Sequence, residues 1–86
     1  MTGAAGHLRR LVAHLLGTLV EEGRLELVDG AALPPLVEEV LLAIGRAGQF
    51  SQAGSTIAAA LVASELVEEV YADDEEILQV FNHMYG

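Results

Sequence analysis

The sequence predicts an all-α fold, either a four-helix bundle or two packed helical hairpins, formed by residues 1–86 as a single domain. Apolar residues recur at helical spacing in successive stretches. Glycine, proline or clustered acids punctuate those stretches where helices prefer to stop and start. Strand-like alternation is confined to one short segment with no apparent second segment to pair with it.

The first predicted helix spans residues 5–22, and one of its faces is almost entirely apolar. Residues three and four positions apart lie on the same face of a helix and form a stripe that packs on the core. Gly23 follows, at a position where glycine commonly ends a helix. The stripe consists of Leu8, Leu11, Val12, Leu15, Leu16, Leu19 and Val20.

Residues 24–30 alternate between polar and apolar and close with Asp-Gly, a pattern that fits a short strand. Because no partner strand is apparent, we predict instead an extended linker that tucks in Leu25 and Leu27. A second helix begins near Pro34, since proline suits a first turn whose N–H groups are unpaired, and runs to Arg46. Its stripe consists of Leu33, Leu36, Val37, Val40, Leu41 and Ile44.

The third predicted helix spans residues 54–71. Its first half, residues 57–63, is apolar on every face, which is typical of a helix buried on several sides. Its second half places Glu65, Glu68 and Glu69 at a spacing that predicts one exposed face.

The fourth predicted helix starts at a run of acids, residues 73–76. Asp73 and Glu76 have the spacing of a capping box, and acids suit the positive end of the helix dipole. The stripe that follows consists of Ile77, Val80, Phe81, Met84 and Tyr85. Across all four helices, spacing predicts a core of Leu11, Leu15, Leu19, Val37, Val40, Leu41, Ile44, Leu61, Leu66, Val70, Ile77 and Phe81.

Leu-Val-Glu-Glu occurs three times, at residues 19–22, 36–39 and 66–69. An ancient duplication of one helical hairpin would leave such an echo. The unequal spacing does not fit a repeat protein, and we interpret the echo as a consequence of how common leucine, valine and glutamate are in this chain.

The chain is strongly acidic, which limits the partners it can take. Thirteen acidic residues face four arginines and no lysine, for a net charge of −9. Nucleic-acid binding needs a basic surface, and an anionic membrane repels such a chain, so neither is a predicted partner. A basic protein partner or a second copy of the chain fits better.

The start of the chain, residues 1–6, lacks the positively charged segment and apolar stretch of a signal peptide. The longest apolar run, residues 57–63, is far shorter than the ~20 residues of a membrane span. We therefore expect a cytoplasmic protein. Arginine without lysine, with abundant alanine, glycine, leucine and valine, is typical of a bacterial genome rich in G and C.

No pattern predicts catalysis, a metal site or a cofactor site. His7 and His14 lie two helical turns apart, ~10 Å, which is too far for one metal ion, and His83 stands near the other end of the chain. The serines lie outside any Gly-x-Ser-x-Gly sequence. Adjacent glutamates diverge by about 100° on a helix and do not share a site. Residues 73–76 lack the spaced oxygens and glycine of a calcium loop.

Residues 54–77 are similar in texture to the second helix and following turn of acyl carrier proteins, which are acidic four-helix domains of about this length. The similarity rests on Leu66, Glu68, Glu69, Tyr71 and the acids before Ile77. It covers less than a third of the chain. The Asp-Ser-Leu attachment motif of that family is missing, since Ser55-Thr56-Ile57 stands there, so a carrier-type domain is the least favoured function.

The sequence predicts a non-enzymatic, self-associating protein–protein interaction module. The chain is 52% hydrophobic over only 86 residues, and a domain of this size buries only ~60–65% of its surface. The alternative is an acidic adaptor, chaperone or inhibitor that covers a basic surface of a different protein. The predicted interface consists of Ile57, Ala60, Phe81, Met84 and Tyr85, unless these side chains complete the core of the single chain.

Overall fold

The computed structural model describes residues 3–47 and 53–85, with side chains described at residues 6–47 and 54–84. Within these ranges the chain forms four helices and two strands, in the order helix–strand–helix, helix–strand–helix. The elements are α1 Gly3–Glu21, β1 Leu25–Leu27, α2 Leu33–Ala47, α3 Ala53–Ala63, β2 Val67–Val70 and α4 Asp74–Tyr85.

Three of the predicted helices, α1, α2 and α4, are confirmed. Where the sequence carries a stop or start signal, the observed helix end lies within two residues of the predicted one. Gly23 follows α1 with φ at 74°, the left-handed conformation that ends many helices. The predicted capping box is present at the start of α4. The Glu76 N–H donates to Asp73 Oδ1 at 2.8 Å, and the Asp73 N–H donates to Glu76 Oε1 at 3.3 Å.

The prediction of an all-α fold is wrong, because β1 and β2 pair as a small antiparallel sheet. The segment at 24–30 that was expected to be a linker therefore contains a true strand. Its partner lies in the stretch that was predicted to continue the third helix to residue 71. The fold is largely helical, with two strands joining its halves in the described part of the chain.

The third helix ends at Ala63 because the next two residues turn the chain. Ser64 Oγ donates to the Leu61 carbonyl at 2.8 Å and accepts the Leu66 N–H at 3.1 Å. Glu65 takes a φ of 64°, which no residue inside a right-handed helix adopts. The Val-Glu-Glu-Val pattern of β2 is compatible with either a helix or a strand, and pairing with β1 stabilises the strand.

The sheet has one irregularity in its register. Leu25 lies opposite Val70 and Glu26 opposite Glu69, whereas Leu27 lies opposite Val67. Glu68 is therefore an extra residue on β2, a β-bulge, which increases the local twist of the strand. Two further backbone bonds flank the ladder: Tyr71 N–H to the Arg24 carbonyl at 2.8 Å, and Val28 N–H to the Leu66 carbonyl at 2.9 Å.

One apolar core lies between the helices and the inner face of the sheet. Nine of the twelve predicted core residues are buried, while Leu41, Leu66 and Val70 are half-buried. The fully enclosed side chains include Leu15 in α1 and Phe81 in α4. The buried set is Leu11, Val12, Leu15, Leu16, Leu19, Leu25, Leu36, Val37, Val40, Ile44, Ile57, Ala60, Leu61, Ala72, Ile77 and Phe81.

Each half of the chain is a helix pair bridged by a strand, and the two halves also pack helix on helix. Within the halves, α1 packs on α2 and α3 on α4; between them, α2 packs on α3 and α1 on α4. Helices α3 and α4 approach each other closely at Gly54, where an added Cβ would lie 2.8 Å from Leu78 Cβ and would collide with the Asp74 carbonyl oxygen. Glycine at this position lets α3 and α4 meet.

Candidate interaction surface

The acids of the chain are concentrated at one end of the molecule. Pairing of β1 with β2 brings together residues 21–30 and 65–76, which we call the acidic end. These two segments hold eleven of the thirteen acidic residues and one of the four arginines, Arg24. The remainder of the molecule carries two acids and three arginines. Charge is therefore strongly segregated between the strand end and the rest of the fold.

The outer face of the sheet presents two glutamates side by side. Glu26 and Glu69 are directly opposite each other on the paired strands, and both are exposed. Like charges in this relation destabilise a sheet. Tyr71, 59% exposed, donates weakly from its hydroxyl to Glu26 Oε1 at 3.4 Å. The negative charge of Glu26, with partial burial and Glu69 adding to it, raises the pKa of the Tyr71 hydroxyl above its ordinary value of 10.0.

The single arginine of the acidic end is already engaged. The Arg24 guanidinium donates to Glu76 Oε2. Both side chains are about two-fifths exposed, 38% and 40%. Arg24 therefore neutralises one acid near the start of α4 and leaves the glutamates of the sheet uncompensated.

A groove of about 290 Å³ is lined by β2 and the end of α3 and by no residue of β1, which places it at the edge of β2 that faces away from β1. All four residues of the strand line it, together with Val62. Val62 is 72% exposed, the most exposed of the large apolar side chains that the structure describes. Sequence reasoning missed this feature because it placed Val62, Glu68 and Glu69 on one long helix. The β-branched and aromatic residues of Val-Glu-Glu-Val-Tyr were the available signal for a strand.

A second groove, of about 450 Å³, is lined by residues of both α2 and α3. Ala43, Ala59 and Ala63 contribute small apolar side chains to it, and Glu39 and Arg46 stand on the α2 side. The sequence of α3 contains no charged residue. Leu42, 54% exposed, lies next to Ala43 on α2.

The structure places the predicted interface residues mostly inside the molecule. Ile57 and Phe81 are at most 1% exposed, and Ala60 is 9% exposed. Met84 is half-buried against the core, and the side chain of Tyr85 lies outside the described part. Helix α3 is apolar on all sides because one side faces the core and the other carries mainly small side chains.

The histidines do not come together as a site. His7, His14 and His83 are all exposed. Among the described residues, no group of three or more histidines and acids is arranged to hold a metal ion. The described residues also include no buried polar or charged side chain. No helix in the described ranges combines the length and the apolar character needed to cross a membrane.

Comparison with known proteins adds no relative: no protein-family model, no curated protein and no solved structure matches the chain. The interaction surfaces are therefore interpreted from their own geometry and charge.

Proposed function

We propose that the chain is a non-enzymatic protein–protein interaction module that binds a basic surface of a different protein through its acidic end. The observation that carries this proposal is the segregation of charge, with eleven acids and one arginine in residues 21–30 and 65–76. A surface of one sign raises the association rate with an oppositely charged partner and repels other partners. Within this acidic end, Glu26 and Glu69 stand side by side on the sheet.

The structure weakens the motive for self-association, which was excess apolar content. Ile57, Ala60 and Phe81 are used within the single chain. The radius of gyration is 11.8 Å, close to the value of about 12 Å expected for a compact domain of this length. A second acidic end would also repel the first. These observations favour a basic partner over a second copy.

The test uses an oligolysine peptide of defined length as the basic probe. Glu75→Arg reverses one exposed charge in the acidic end, and Glu39→Arg makes the same change on α2. We expect Glu75→Arg to weaken peptide binding by about tenfold, whereas Glu39→Arg changes it by less than about threefold. Fluorescence anisotropy at low and physiological salt measures both. Equal losses in the two variants would contradict a localised binding end.

Self-association through the groove between α2 and α3 is a second candidate, favoured by one observation. In a chain of net charge −9, α3 has no charged residue, and Leu42 on the neighbouring α2 is 54% exposed. Small side chains let helices of two copies approach closely, and a twofold interface would be self-complementary.

Light scattering over a concentration series tests this candidate. If copies associate, the mass exceeds that of one chain, and Leu42→Glu or Ala59→Glu restores a folded monomer. Gln79→Glu, at an exposed position on α4, is the matched control and leaves the mass unchanged. Phe81→Glu is unsuitable as a probe because it buries a charge in the core. A constant monomer mass at high concentration would rule the candidate out.

A further inference from the structure

Neither outer edge of the two-stranded sheet has a further strand among the described residues, and of the two the edge of β2 borders the groove with Val62. Within the described residues β2 pairs with β1 alone. The Tyr71 N–H is directed inward, to the Arg24 carbonyl. Because successive residues of an antiparallel strand turn their N–H and C=O groups to alternate sides, the preceding residue, Val70, directs its backbone groups to the open edge. That edge can accept a further strand.

The groove along this edge offers a place for side chains of such a strand. It is lined by Val67–Val70 over the whole length of β2, and by Val62 from the last turn of α3. Helix α3 contacts β2. Val67 and Val70 pack against the core that holds Ile57 and Leu61 of α3, which places this helix on the inner side of the sheet. A side chain of an added strand that points inward would therefore meet Val62, which is 72% exposed in the single chain.

The outer side of the same edge is acidic. Glu69 stands on the exposed face beside Glu26, and Glu68, the bulged residue, also lines the groove. Side chains of a strand alternate between the two faces of a sheet. An added strand would consequently place one set of side chains near Val62 and the other set near the glutamates.

A second copy of this chain is a poor occupant of the edge. Antiparallel pairing of two β2 strands would set Glu68 and Glu69 of one copy against the same residues of the other. Like charges placed opposite each other destabilise a sheet, and charged edge strands protect proteins from edge-to-edge association. A complementary occupant carries positive charge on an extended segment. In this chain Arg9, Arg10 and Arg46 lie in helices and Arg24 is paired with Glu76.

We propose that the open edge of β2 binds an extended segment of a basic partner protein as a third strand, with lysine or arginine alternating with apolar side chains. The inference rests on the proposed function, since it specifies how the acidic end recognises its partner. Main-chain hydrogen bonds supply affinity in this mode, and the alternating side chains supply specificity. The apolar set packs on Val62 and the basic set neutralises Glu68 and Glu69.

The experiment compares two synthetic peptides of about seven residues, a typical strand length. In one peptide lysine alternates with valine; in the other lysine alternates with serine, so that charge and length are equal. Fluorescence anisotropy gives the dissociation constants in about 0.15 M salt, where long-range attraction is largely screened. We expect the valine peptide to bind about tenfold more tightly. Amide hydrogen exchange is expected to slow at Val70 when that peptide binds.

Two pairs of matched variants locate the site. The first pair compares two double variants, Glu68→Gln/Glu69→Gln and Glu21→Gln/Glu22→Gln. The second double variant removes the same amount of charge from the acidic end, at residues that do not line the groove. Val62→Ser is compared with Leu42→Ser, which removes an exposed apolar side chain elsewhere. We expect the double glutamine variant in the groove to weaken binding of the valine peptide by about tenfold, and Val62→Ser to weaken it by about fivefold. The two control variants are expected to weaken binding by less than about twofold.

The outcomes separate this inference from the proposed function. If both peptides bind equally and the two glutamine pairs lose affinity equally, the acidic end attracts basic partners but strand addition is wrong. Two further versions of the valine peptide carry N-methyl groups on alternate residues, one on the odd and the other on the even positions. If both bind as tightly as the unmodified peptide, main-chain pairing is likewise overturned. If neither peptide binds, the proposed function fails and the strand-addition inference fails with it.

Discussion

Arg24, which precedes β1, donates from its guanidinium to the carboxylate of Glu76 in the first turn of α4, 52 residues further along the chain. Its carbonyl also accepts the Tyr71 N–H at 2.8 Å. Glu76 in turn accepts the Asp73 N–H through its other oxygen at 3.3 Å. One ion pair therefore joins the strand of the first half to the helix start of the second half.

Substitution of Glu76 separates its two roles, helix capping and ion pairing. Glu76→Gln keeps an acceptor for the Asp73 N–H but loses the charge, and we expect it to lower the free energy of unfolding by about 0.5–1 kcal/mol, as for a half-exposed ion pair. Glu76→Ala loses both roles and is expected to cost about 1–2 kcal/mol. Urea unfolding of both variants measures the difference.

Arg24→Met provides the control for the ion pair. Combined with Glu76→Gln, it is expected to cost no more than either change alone, because both remove the same interaction. Additive losses in this double-mutant cycle would show that the contact between Arg24 and Glu76 contributes nothing to stability.

The helices with a clear apolar stripe could be predicted from the sequence, and β2 could not. Residues 8–20, 33–44 and 77–84 repeat apolar positions at helical spacing and bury them in one core. Val67–Val70 contains two glutamates between valines, a pattern that permits either state. Its strand conformation depends on Leu25–Leu27, which lies about forty residues away in sequence, and local propensity does not encode such pairing.

The candidate site was accessible from the sequence only through its charge. The net charge of −9 makes a basic partner one predicted alternative, but segregation of the acids depends on the pairing of β1 with β2. Ile57 is predicted at an interface because the third helix is apolar all round, and Phe81 because aromatic residues are enriched at interface cores. The structure shows that Ile57 lies in the core and that the exposed apolar side chains described for this helix are Ala59, Val62 and Ala63.

In each half of the chain, a residue two positions after the end of the first helix adopts the left-handed backbone conformation. Gly23 follows α1 with φ at 74°, and Glu65, 42 positions later, follows α3 with φ at 64°. A side chain in this conformation costs about 1–2 kcal/mol. Glycine removes this cost, but it also has more conformational freedom in the unfolded chain, which offsets part of the gain. We therefore expect Glu65→Gly to raise the free energy of unfolding by about 0.5–1 kcal/mol.

Two further variants exclude a charge effect as the cause. Glu65→Ala removes the same negative charge but keeps the backbone strain, so it is expected to stabilise less than glycine does. Gly23→Ala introduces the strain in the first half and is expected to cost about 1 kcal/mol. If Glu65→Ala stabilises as much as Glu65→Gly, repulsion among the acids, and not the backbone, limits stability at this turn.

Gly54 and Gly17 are predicted to respond to alanine with opposite signs. A Cβ at Gly54 would lie 2.8 Å from Leu78 Cβ and collide with the Asp74 carbonyl, so α3 and α4 would have to move apart. We expect Gly54→Ala to cost about 1–3 kcal/mol. Gly17 lies within α1 with no atom near its Cβ position, and Gly17→Ala is expected to gain about 0.5–1 kcal/mol. Thermal unfolding measures both, and a neutral Gly54→Ala would show that the helices are not in close contact.

Tyr71 is predicted to make the protein less stable in alkali. Glu26 is the main cause that raises the pKa of the Tyr71 hydroxyl above 10.0, followed by partial burial and Glu69. The folded state therefore holds this proton more tightly than the unfolded state does, and its contribution to stability is complete below about pH 10 and is lost as pH rises through the raised pKa. Tyr71→Phe is expected to remove this component from the dependence of unfolding on pH.

The ionisation of Tyr71 can be measured directly by absorbance in a Tyr85→Phe background, which leaves one tyrosine in the chain. Glu26→Gln is expected to shift the titration midpoint downward, toward the ordinary value, because it removes the largest source of repulsion for the phenolate. Added salt is expected to shift it in the same direction by screening Glu26 and Glu69. Glu39→Gln is the control, since Glu39 on α2 is not among the groups that raise this pKa. A midpoint that moves equally in Glu26→Gln and Glu39→Gln would mean that Tyr71 responds to the net charge of the molecule, and that its position beside Glu26 has no separate effect.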